Sequence, residues 1–318
     1  MKAIINNTYG TPDILELREI EKPQPGDQQV LIKVLAASVN KADWHILTGL
    51  PFPIRFMSGL SKPKYRTLGA DVSGIVERVG SKVNQFKPGD EVFGDLSANG
   101  FGGFAEYALT DESKIAIKPT NFNFAQAAAI PMAAITALQA LRDKGKIAEG
   151  QQVLINGASG GVGTYAIQIA KYFGSQVTAV CSTAKAGRAK RLGADFVIDY
   201  KTNDFTREDK EYDLILDIVG NHPVSSVSKV LKKGGHYVTC VFSLGALLLG
   251  PWKKLTEKKT ITNVLTETNR ADLQFLTKLV EEEKLNPVID ETYTLDDVPE
   301  ALRKMGKGSN EGKLVICI

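Results

Sequence analysis

A glycine-rich turn between an apolar strand and an apolar helix constrains the fold of this chain more than any other segment. The run VLIN at 153–156 leads into GASGGVG at 157–163, and an apolar helical segment begins at Tyr165. This order predicts a helix whose first backbone N–H groups are free and, with the helix dipole, favour an anion. The segment therefore predicts a site for the pyrophosphate of a dinucleotide. The residues expected to contact it are Ser159, Gly160, Gly161 and Val162.

The glycine pattern departs at one position from the dinucleotide-binding motif G-x-G-x-x-G. Aligned to that motif, the three glycine positions hold Ala158, Gly160 and Gly163, so alanine stands where the tight turn is expected. The strand before the turn and the helix after it supply the context that the motif requires. The alternative is an ordinary connection between a strand and a helix in an α/β protein.

The segment after the next strand predicts which dinucleotide binds. The strand at 176–180 is followed by Ser182 and Thr183, where a site for NAD usually carries an acidic residue for the ribose 2′-hydroxyl. Lys185 and Arg188 come next. Hydroxyl and cationic groups bind a 2′-phosphate through charge-assisted hydrogen bonds, so these four residues predict NADPH rather than NADH. The cations could instead belong to the solvated face of a surface helix.

Length, charge and cysteine content exclude several classes of protein. A chain of 318 residues can form two domains, and its net charge of +3 is too small to predict a nucleic-acid or membrane partner. Three cysteines in apolar contexts predict neither a disulfide framework nor a thiolate metal cluster. The apolar stretches at 124–141 and 241–252 are interrupted or too short for a membrane span, and no leader segment is recognised. We expect a cytoplasmic protein.

The hydrophobic pattern changes along the chain and predicts an α/β fold with two domains. Residues 1 to about 120 are rich in strands and turn signals, which predicts a mainly β domain. From 121 to 255 strands alternate with helices, as in a doubly wound parallel sheet. A strand at 261–265 is expected at the edge of that sheet. Part of the segment from about 256 to 318 is expected to return and complete the N-terminal domain.

Several ordered motifs extend over nearly the whole chain, and with them the sequence resembles the zinc-independent quinone oxidoreductase branch of the medium-chain dehydrogenase/reductase superfamily. The resemblance implies a GroES-like catalytic domain at 1–120, a Rossmann NADPH-binding domain at 121–255, and a homodimer. The motifs lie at 37–43, 68–76, 86–94, 103–107, 158–163, 192–200 and 217–220.

The same resemblance addresses zinc through the residues that stand at the ligand positions. In zinc-dependent members two cysteines and a histidine hold the catalytic metal, and these would fall at Asn40, Ala70 and Met132. An amide, a methyl group and a thioether cannot replace thiolate and imidazole at a tetrahedral zinc site. The structural zinc of the superfamily needs four cysteines before about residue 115, where this chain has none. No metal site is therefore predicted.

Without a Lewis acid, the acceptor of a hydride must be electrophilic by itself. Quinones and α,β-unsaturated carbonyl compounds qualify, because hydride addition leaves a delocalised enolate that modest hydrogen bonding can stabilise. The chain is therefore expected to reduce such small molecules with NADPH. Two alternatives stay open. One is a reductase of enoyl thioesters or activated aldehydes, and the other is an NADPH-binding sensor or structural protein with little catalytic activity.

The resemblance also implies the remaining cofactor contacts. Asn40 and Thr136 are expected beside the nicotinamide ribose, and Tyr200 near the adenosine phosphate. Asn40 could instead be a turn residue, and Thr136 a helix residue bonded to its own backbone. The residues expected to line the nicotinamide from the ends of two strands are Val219, Gly220, Phe242 and Ser243.

No side chain is a convincing proton donor. Tyr65 is the one catalytic candidate, because some relatives place a tyrosine close to the substrate in this loop; His45 follows the Asn40 motif. Either residue could be purely structural, and solvent could protonate an enolate, so an essential acid–base residue is not expected. The apolar loop at 49–60 could line a substrate pocket or pack structurally. The apolar run at 244–249 could line that pocket or form a dimer contact.

Overall fold

The computed structural model describes all 318 residues except the side chains of Leu244 and Leu247, and the chain divides into two compact units. Unit 1 comprises residues 1–132, 267–282 and 287–318, and unit 2 comprises residues 133–266 and 283–286. The first long segment of each unit ends later than the boundaries expected near 120 and 255. Ala128 and Ala129 pack against Ala36 and Val315 of unit 1, which keeps the segment after residue 120 in that unit.

The N-terminal part of unit 1 is mainly β. The long strands of its sheet are largely buried, whereas the short strand β2 is exposed along its whole length. The elements are β1 (Lys2–Ile5), β2 (Glu16–Glu19), β3 (Gln29–Val39), α1 (Lys41–Thr48), α2 (Arg55–Ser58), β4 (Asp71–Val79), β5 (Glu91–Asp95), β6 (Tyr107–Asp111), β7 (Ile115–Ile117) and α3 (Phe124–Ala128).

Strands and helices alternate through the middle of the chain. After α4 (Pro131–Leu138) and a π-helical segment (Gln139–Lys144), the chain forms the strands and helices of unit 2. These are β8 (Gln152–Asn156), α5 (Gly161–Tyr172), β9 (Gln176–Cys181), α6 (Thr183–Arg191), β10 (Phe196–Asp199), β11 (Tyr212–Asp217), α7 (Val224–Val227), β12 (Leu231–Thr239), α8 (Leu244–Glu257) and β13 (Thr260–Asn263).

The six strands of unit 2 form one parallel sheet in the order β10-β9-β8-β11-β12-β13. The strand order reverses beside β8, which confirms the predicted doubly wound arrangement. Val153, Leu154 and Ile155 of β8 are fully buried, as expected for a continuous apolar strand covered on both faces. The predicted edge strand is also confirmed: β13 pairs with β12, with Ile261 opposite Tyr237, and lies at the end of the sheet.

The C-terminal segment completes the sheet of unit 1. It contains α9 (Arg270–Glu281), β14 (Ile289–Thr294), α10 (Val298–Lys307) and β15 (Lys313–Cys317). β15 pairs antiparallel with β3, which gives a seven-stranded sheet with the path β14-β15-β3-β4-β5-β7 and with β6 also paired to β3. None of the helices that the structure describes combines the length and the apolar character needed to cross a bilayer.

Candidate functional site

The turn after β8 is built around Gly157. This residue adopts a φ of 89°, in the left-handed region that glycine tolerates without strain. The tight turn therefore falls one residue before the position that the motif alignment gave to Ala158. Alanine is accommodated at 158 because the positive φ is supplied by its neighbour.

The approach of α5 to the end of β8 requires glycine at position 163. A Cβ on Gly163 would lie 2.2 Å from the Gly157 carbonyl oxygen and 2.6 Å from the Cα of Ala158. A Cβ on Gly160 would instead have its nearest neighbour at 3.7 Å. The first intrahelical bond of α5 runs from the Thr164 N–H to the Gly160 carbonyl, at 3.0 Å. The preceding N–H groups of the first turn thus have no helical acceptor and can bind an anion.

The end of β9 brings together the residues predicted to select the cofactor. Ser182 is the buried N-cap residue of α6, and Thr183 begins that helix. Asp199, the last residue of β10, accepts hydrogen bonds from the Thr183 backbone N–H at 3.0 Å and from the Thr183 hydroxyl. It also accepts one from the Lys201 N–H at 2.8 Å. The bond from the Thr183 side chain is the largest cause that lowers the pKa of Asp199, so this carboxylate is ionised at neutral pH.

Asp199 is not among the residues predicted for the site, because it ends β10, whereas Ser182 and Thr183 follow β9. The signal that could have found it is the sheet register, which sets Asp199 directly opposite Cys181 at the end of β9. Burial, followed by the charge of Asp199, raises the pKa of the Cys181 thiol, whereas the charge of Lys185 lowers it. The negative charge of Asp199 and the positive charge of Lys185 therefore both lie near the end of β9. Arg188 is half-buried on α6, and Tyr200 is exposed directly after β10.

A buried aspartate fixes the turn after β11. One oxygen of Asp217 accepts hydrogen bonds from the N–H groups of Val219, at 3.1 Å, and Gly220, at 2.8 Å. It also accepts one from the Asn156 amide at 2.9 Å, and the second oxygen accepts from the Tyr237 hydroxyl at 2.9 Å. Burial, and then the Asp217 charge, raise the pKa of Tyr237. The turn thus holds its backbone in place and leaves the Val219 side chain exposed.

The segment after β12 and the end of α4 hold the other residues predicted for unit 2. Phe242 is 75% exposed, and the Ser243 N–H donates to Asn263 at 3.0 Å. Ser243 also caps α8. The Thr136 hydroxyl lies 2.9 Å from the Thr266 hydroxyl. Val219, Gly220, Phe242 and Ser243 therefore all follow the carboxyl ends of neighbouring parallel strands, where ligands bind in open α/β sheets.

Unit 1 contains a buried ion pair that binds Asn40. The Lys313 ammonium, on a side chain only 2% exposed, lies 3.1 Å from a carboxylate oxygen of the fully buried Asp71 and 2.5 Å from the Asn40 amide oxygen. The Asn40 amide nitrogen donates to Asp71 at 2.9 Å and to the Ser38 carbonyl at 3.3 Å. Both amide protons of Asn40 are thus engaged, which leaves its oxygen as the atom that can accept a further bond. Asp71 and Lys313 are not among the predicted site residues.

The same carboxylate joins the positions aligned with zinc ligands. Asp71 accepts a hydrogen bond from the Met132 N–H at 2.8 Å, binds Asn40 through its other oxygen, and directly follows Ala70. An amide, a methyl group and a thioether stand at the three positions, with an ammonium beside them. Among the described residues, no three histidine, cysteine, aspartate or glutamate side chains are grouped so that they could hold a metal ion.

Two further buried aspartates lie in unit 1. Asp43 accepts hydrogen bonds from the backbone N–H groups of Asn40, at 2.8 Å, and Gly69, at 2.9 Å. Burial raises the pKa of Asp43 to about 7. Asp95 accepts a hydrogen bond from the Thr268 hydroxyl at 2.6 Å, and burial together with the charge of Asp71 raises its pKa to about 6. The carboxyl groups of Asp43 and Asp95 therefore keep their protons to higher pH than ordinary carboxyl groups do.

The two residues considered as proton donors both have structural contacts. The Tyr65 ring packs on Phe101 at 5.3 Å between centroids. His45 Nδ1 lies 2.6 Å from the Leu50 carbonyl oxygen, and burial lowers the pKa of the ring. His45 is therefore neutral at physiological pH and helps to fix the start of the apolar loop.

Comparison with families of known proteins gives two matches within the chain. Residues 26–120 match the alcohol dehydrogenase GroES-like domain, and residues 192–316 match a family described as zinc-binding dehydrogenase. The matched segments fall in the β-rich N-terminal part and in the part that begins just after α6 and runs to β15.

Individual relatives are similar over nearly the whole chain. A spinach (Spinacia oleracea) protein named quinone-oxidoreductase homolog, chloroplastic, is 35% identical over 99% of this chain and 98% of its own length. An Arabidopsis thaliana protein named NADPH-dependent alkenal/one oxidoreductase, chloroplastic, is 32% identical over 99% of this chain and 79% of its own length. The solved quinone oxidoreductase from Coxiella burnetii is 34% identical, with a TM-score of 0.90 over 100% of this chain and 99% of the other.

Proposed function

Because the chain belongs to the quinone oxidoreductase branch of the medium-chain dehydrogenase/reductase superfamily, we propose that it reduces quinones and α,β-unsaturated carbonyl compounds with NADPH and without zinc. The observation that carries the proposal is the buried cluster of Asn40, Asp71 and Lys313. Asn40 stands at one of the three positions aligned with the zinc ligands of zinc-dependent members, and Asp71 directly follows a second of them, Ala70.

The residues at the three aligned ligand positions, Asn40, Ala70 and Met132, do not fit zinc. Asn40 is bound through both ends of its amide, and the Met132 thioether is a weak ligand for this ion. The matched zinc-binding dehydrogenase family covers residues 192–316, so none of the three ligand positions lies within it. An acceptor that no Lewis acid polarises must be activated by its own conjugation. Quinones and enones meet that requirement.

The residues of unit 2 fit a phosphorylated dinucleotide. Gly163 permits the close approach of α5, and the free N–H groups of its first turn, with Ser159 to Val162, would hold the pyrophosphate. Ser182, Thr183, Lys185 and Arg188 would hold the 2′-phosphate, and Tyr200 would lie near the adenosine phosphate. When bound, NADPH supplies the hydride that reduces the acceptor. The preference for NADPH rests on these four residues and on the similarity to the Arabidopsis protein named NADPH-dependent alkenal/one oxidoreductase.

The nicotinamide end is assigned to residues that follow strand ends and to Asn40. In unit 2 the Val219–Gly220 turn, held by Asp217, presents backbone to the ring, and Phe242 exposes an apolar surface. Asn40, in unit 1, can accept a bond from a ribose hydroxyl through its amide oxygen, which the Lys313 ammonium orients. Thr136 and Ser243 complete the set of proposed contacts.

Proton delivery to the reduced product needs no dedicated acid. Tyr65 is the one side chain proposed for that role, and its packing on Phe101 supports a structural role equally well. An enolate is basic enough to take a proton from water, so loss of Tyr65 is not expected to abolish turnover.

The proposal includes a cytoplasmic homodimer. β13 lies at the edge of the sheet of unit 2, where its outer backbone groups can pair with the same strand of a second copy. Such pairing would extend two six-stranded sheets into one. Sedimentation equilibrium of the purified chain measures this directly, and a monomer at micromolar concentration would contradict it.

One assay tests the proposed activity. The decrease of NADPH absorbance is followed with soluble quinones, alkenals and enoyl thioesters, and the same panel is repeated with NADH. We expect turnover with quinones or alkenals, and a higher kcat/KM for NADPH. Activity should survive treatment with a strong chelator, because no three metal-ligating side chains among the described residues are grouped to hold zinc.

The other candidate functions give different outcomes in the same assay. Turnover with enoyl thioesters alone would assign the chain to thioester reduction. Tight NADPH binding without oxidation by any acceptor would favour a sensor. Activity that disappears with the chelator and returns with zinc would overturn the metal-free assignment.

A further inference from the structure

One face of α8 exposes three large apolar side chains. Leu248, Trp252 and Leu255 follow a helical spacing of four and three residues, and they are 72%, 64% and 82% exposed. The opposite face packs on the sheet: Ala246 is buried, and a Cβ on Gly250 would lie 2.8 Å from the Ile261 carbonyl oxygen. We refer to Leu248, Trp252 and Leu255 as the α8 apolar face. Clustered exposure of this kind on a helix marks a binding surface.

Exposed lysines surround the C-terminal end of α8. Lys254 lies in the last turn, Lys258 is the C-cap residue, and both are exposed. The Lys258 carbonyl accepts a hydrogen bond from the Gly234 N–H at 3.2 Å, which places the turn that contains the exposed Lys233 beside the helix end. The Lys259 ammonium bonds the Ser228 carbonyl at 2.7 Å, and the exposed Lys229 follows Ser228. The basic rim is defined as Lys229, Lys233, Lys254 and Lys258.

Nearby carboxylates do not neutralise this rim. Glu257 is bound to Lys253 and also to Lys259, at 3.2 Å. Asp213 is bound to Lys232 at 2.9 Å. Among the described residues, none of the four lysines of the basic rim has a carboxylate within salt-bridge distance. This end of α8 therefore carries a local positive charge that the small net charge of the whole chain conceals.

Two further titratable residues, His236 and Lys146, lie close to Lys254 of the basic rim, and only Lys146 adds positive charge. Burial is the largest cause that lowers the pKa of His236, and the charges of Lys146 and Lys254 lower it further. His236 is thus neutral at physiological pH, while Lys146 extends the basic surface beside Lys254. No pH-driven change in this surface is expected between pH 7 and 8.

We propose that the α8 apolar face and the basic rim bind the surface of an anionic lipid bilayer. Tryptophan and leucine on one face of a helix insert at the boundary between headgroups and acyl chains, and lysines near the surface attract anionic headgroups. The homodimer proposed above pairs the backbone edge of β13, not the α8 apolar face. A second copy packed on this face would bring two identical basic rims together, and protein interfaces are depleted in lysine, so anionic lipid is the better fit. This binding lies beyond the proposed reductase activity and departs from the expectation, based on net charge, of no membrane partner.

The test uses the full chain and vesicles of two compositions. The vesicles are phosphatidylcholine alone and phosphatidylcholine with about 30 mol% phosphatidylserine, sedimented with the protein at low salt and at about 0.5 M salt. We expect co-sedimentation with the anionic vesicles only, and at least a fivefold loss of binding at high salt. The fluorescence of Trp252 should shift to shorter wavelength in a Trp44→Phe background, which removes the other tryptophan of the chain.

Two variants and one matched control distinguish lipid binding by the α8 apolar face and the basic rim from nonspecific hydrophobic binding. Trp252→Ser/Leu255→Ser and Lys254→Glu/Lys258→Glu are each expected to reduce binding at least tenfold. Leu17→Ser/Ile117→Ser removes two other exposed apolar side chains, both in unit 1, and should leave binding unchanged. Thermal unfolding of each variant checks that the fold is retained.

Three outcomes would overturn the proposal. The first is no binding of the wild-type chain to anionic vesicles, and the second is equal loss of binding in the control variant. The third is a change from dimer to monomer in Trp252→Ser/Leu255→Ser without any vesicle binding, which would assign the face to a second copy. NADPH oxidation with a water-soluble quinone is measured in parallel, so failure of lipid binding is distinguished from failure of the reductase activity.

Discussion

The groups of residues proposed for function differ in construction between the two units. In unit 2 the proposed dinucleotide cradle is made of backbone, and the residues that shape it, Gly157 and Gly163, lie within one short segment. In unit 1 the cluster is made of side chains, and its members Asn40, Asp71 and Lys313 are 31 and 242 residues apart. A backbone cradle is encoded locally and is visible in the sequence, whereas a side-chain cluster depends on the assembled sheet.

The two constructions also respond differently to substitution. The cradle tolerates changes that avoid steric conflict, because its hydrogen-bond donors are main-chain N–H groups. The cluster contains buried charges, so removing either partner leaves the other without compensation. This difference predicts that single substitutions lower the free energy of unfolding most in the side-chain cluster of unit 1.

The largest effect is expected for Lys313→Met. The substitution leaves the Asp71 carboxylate buried beside Asn40 without its ammonium, and breaking a buried ion pair costs about 3 to 5 kcal/mol. Denaturant unfolding should show a loss of this size in the free energy of unfolding. Lys64→Met, at an exposed position of unit 1, is the control and should change it by less than about 0.5 kcal/mol.

The double variant Lys313→Met/Asp71→Asn sharpens this prediction. Replacing both charges removes the uncompensated carboxylate, so the double variant should be more stable than Lys313→Met alone. If the loss in the free energy of unfolding of the double variant equals the sum of the losses of Lys313→Met and Asp71→Asn measured separately, the ion pair is not the source of the effect.

A smaller but local effect is expected for Gly163→Ala. The added Cβ would meet the Gly157 carbonyl oxygen at 2.2 Å, and overpacking of this kind costs about 1 to 3 kcal/mol. The displaced start of α5 should also weaken NADPH binding, measured by fluorescence titration. Gly160→Ala, whose Cβ meets nothing closer than 3.7 Å, is the matched control. Equal losses in both variants would show that the turn does not set the cradle.

The buried carboxyl groups of unit 1 predict a dependence of stability on pH. Burial raises the pKa of Asp43 from 3.8 to about 7, so the folded chain holds this proton more tightly than the unfolded chain. The resulting stabilisation is complete below pH about 4 and is lost as pH rises towards 7, by at most roughly 1.4 kcal/mol per pH unit. The stability of the wild-type chain relative to Asp43→Asn should therefore fall between pH 5 and pH 8 in denaturant unfolding. A constant difference would place the pKa of Asp43 in its ordinary range.

The smallest effect is expected for Asp199→Asn. This exposed carboxylate bonds Thr183 at the strand end proposed for the 2′-phosphate, and its charge opposes a phosphate there. Removing the charge should raise the affinity for NADPH relative to NADH by about two- to fivefold, as expected for solvent-screened charges. Lys185→Ala should shift the same ratio in the opposite direction. An unchanged ratio in both variants would remove the 2′-phosphate from this strand end.

Much of the fold could be predicted from local sequence patterns. The alternation of strands and helices indicated the doubly wound sheet, and the apolar run at 153–156 identified one of its buried strands, because burial on both faces leaves a continuous hydrophobic segment. The boundaries of the units were less predictable, because they depend on packing between segments far apart in sequence.

The site was predictable only where one segment builds it. Gly160 and Gly163 followed from the motif, whereas Asp199 reaches Thr183 from the neighbouring strand and Lys313 reaches Asn40 from the other end of the chain. Asp71 and Asp217 stood inside recognised motifs, yet nothing in the sequence indicated which backbone or side-chain groups they would bind. Pairing between strands decides such contacts.

The distance along the chain between Asp71 and Lys313 has a consequence for synthesis. During translation the carboxylate leaves the ribosome 242 residues ahead of the ammonium that neutralises it. Until β15 has been synthesised, the Asp71 carboxylate of unit 1 therefore lacks its ammonium partner, and the edge of β3 that pairs with β15 is unpaired. The nucleotide-binding sheet, whose six strands all lie between residues 152 and 263, has no such dependence. A nascent chain halted before residue 313 would thus have all six strands of the Rossmann sheet. Its GroES-like domain would still lack its last strand.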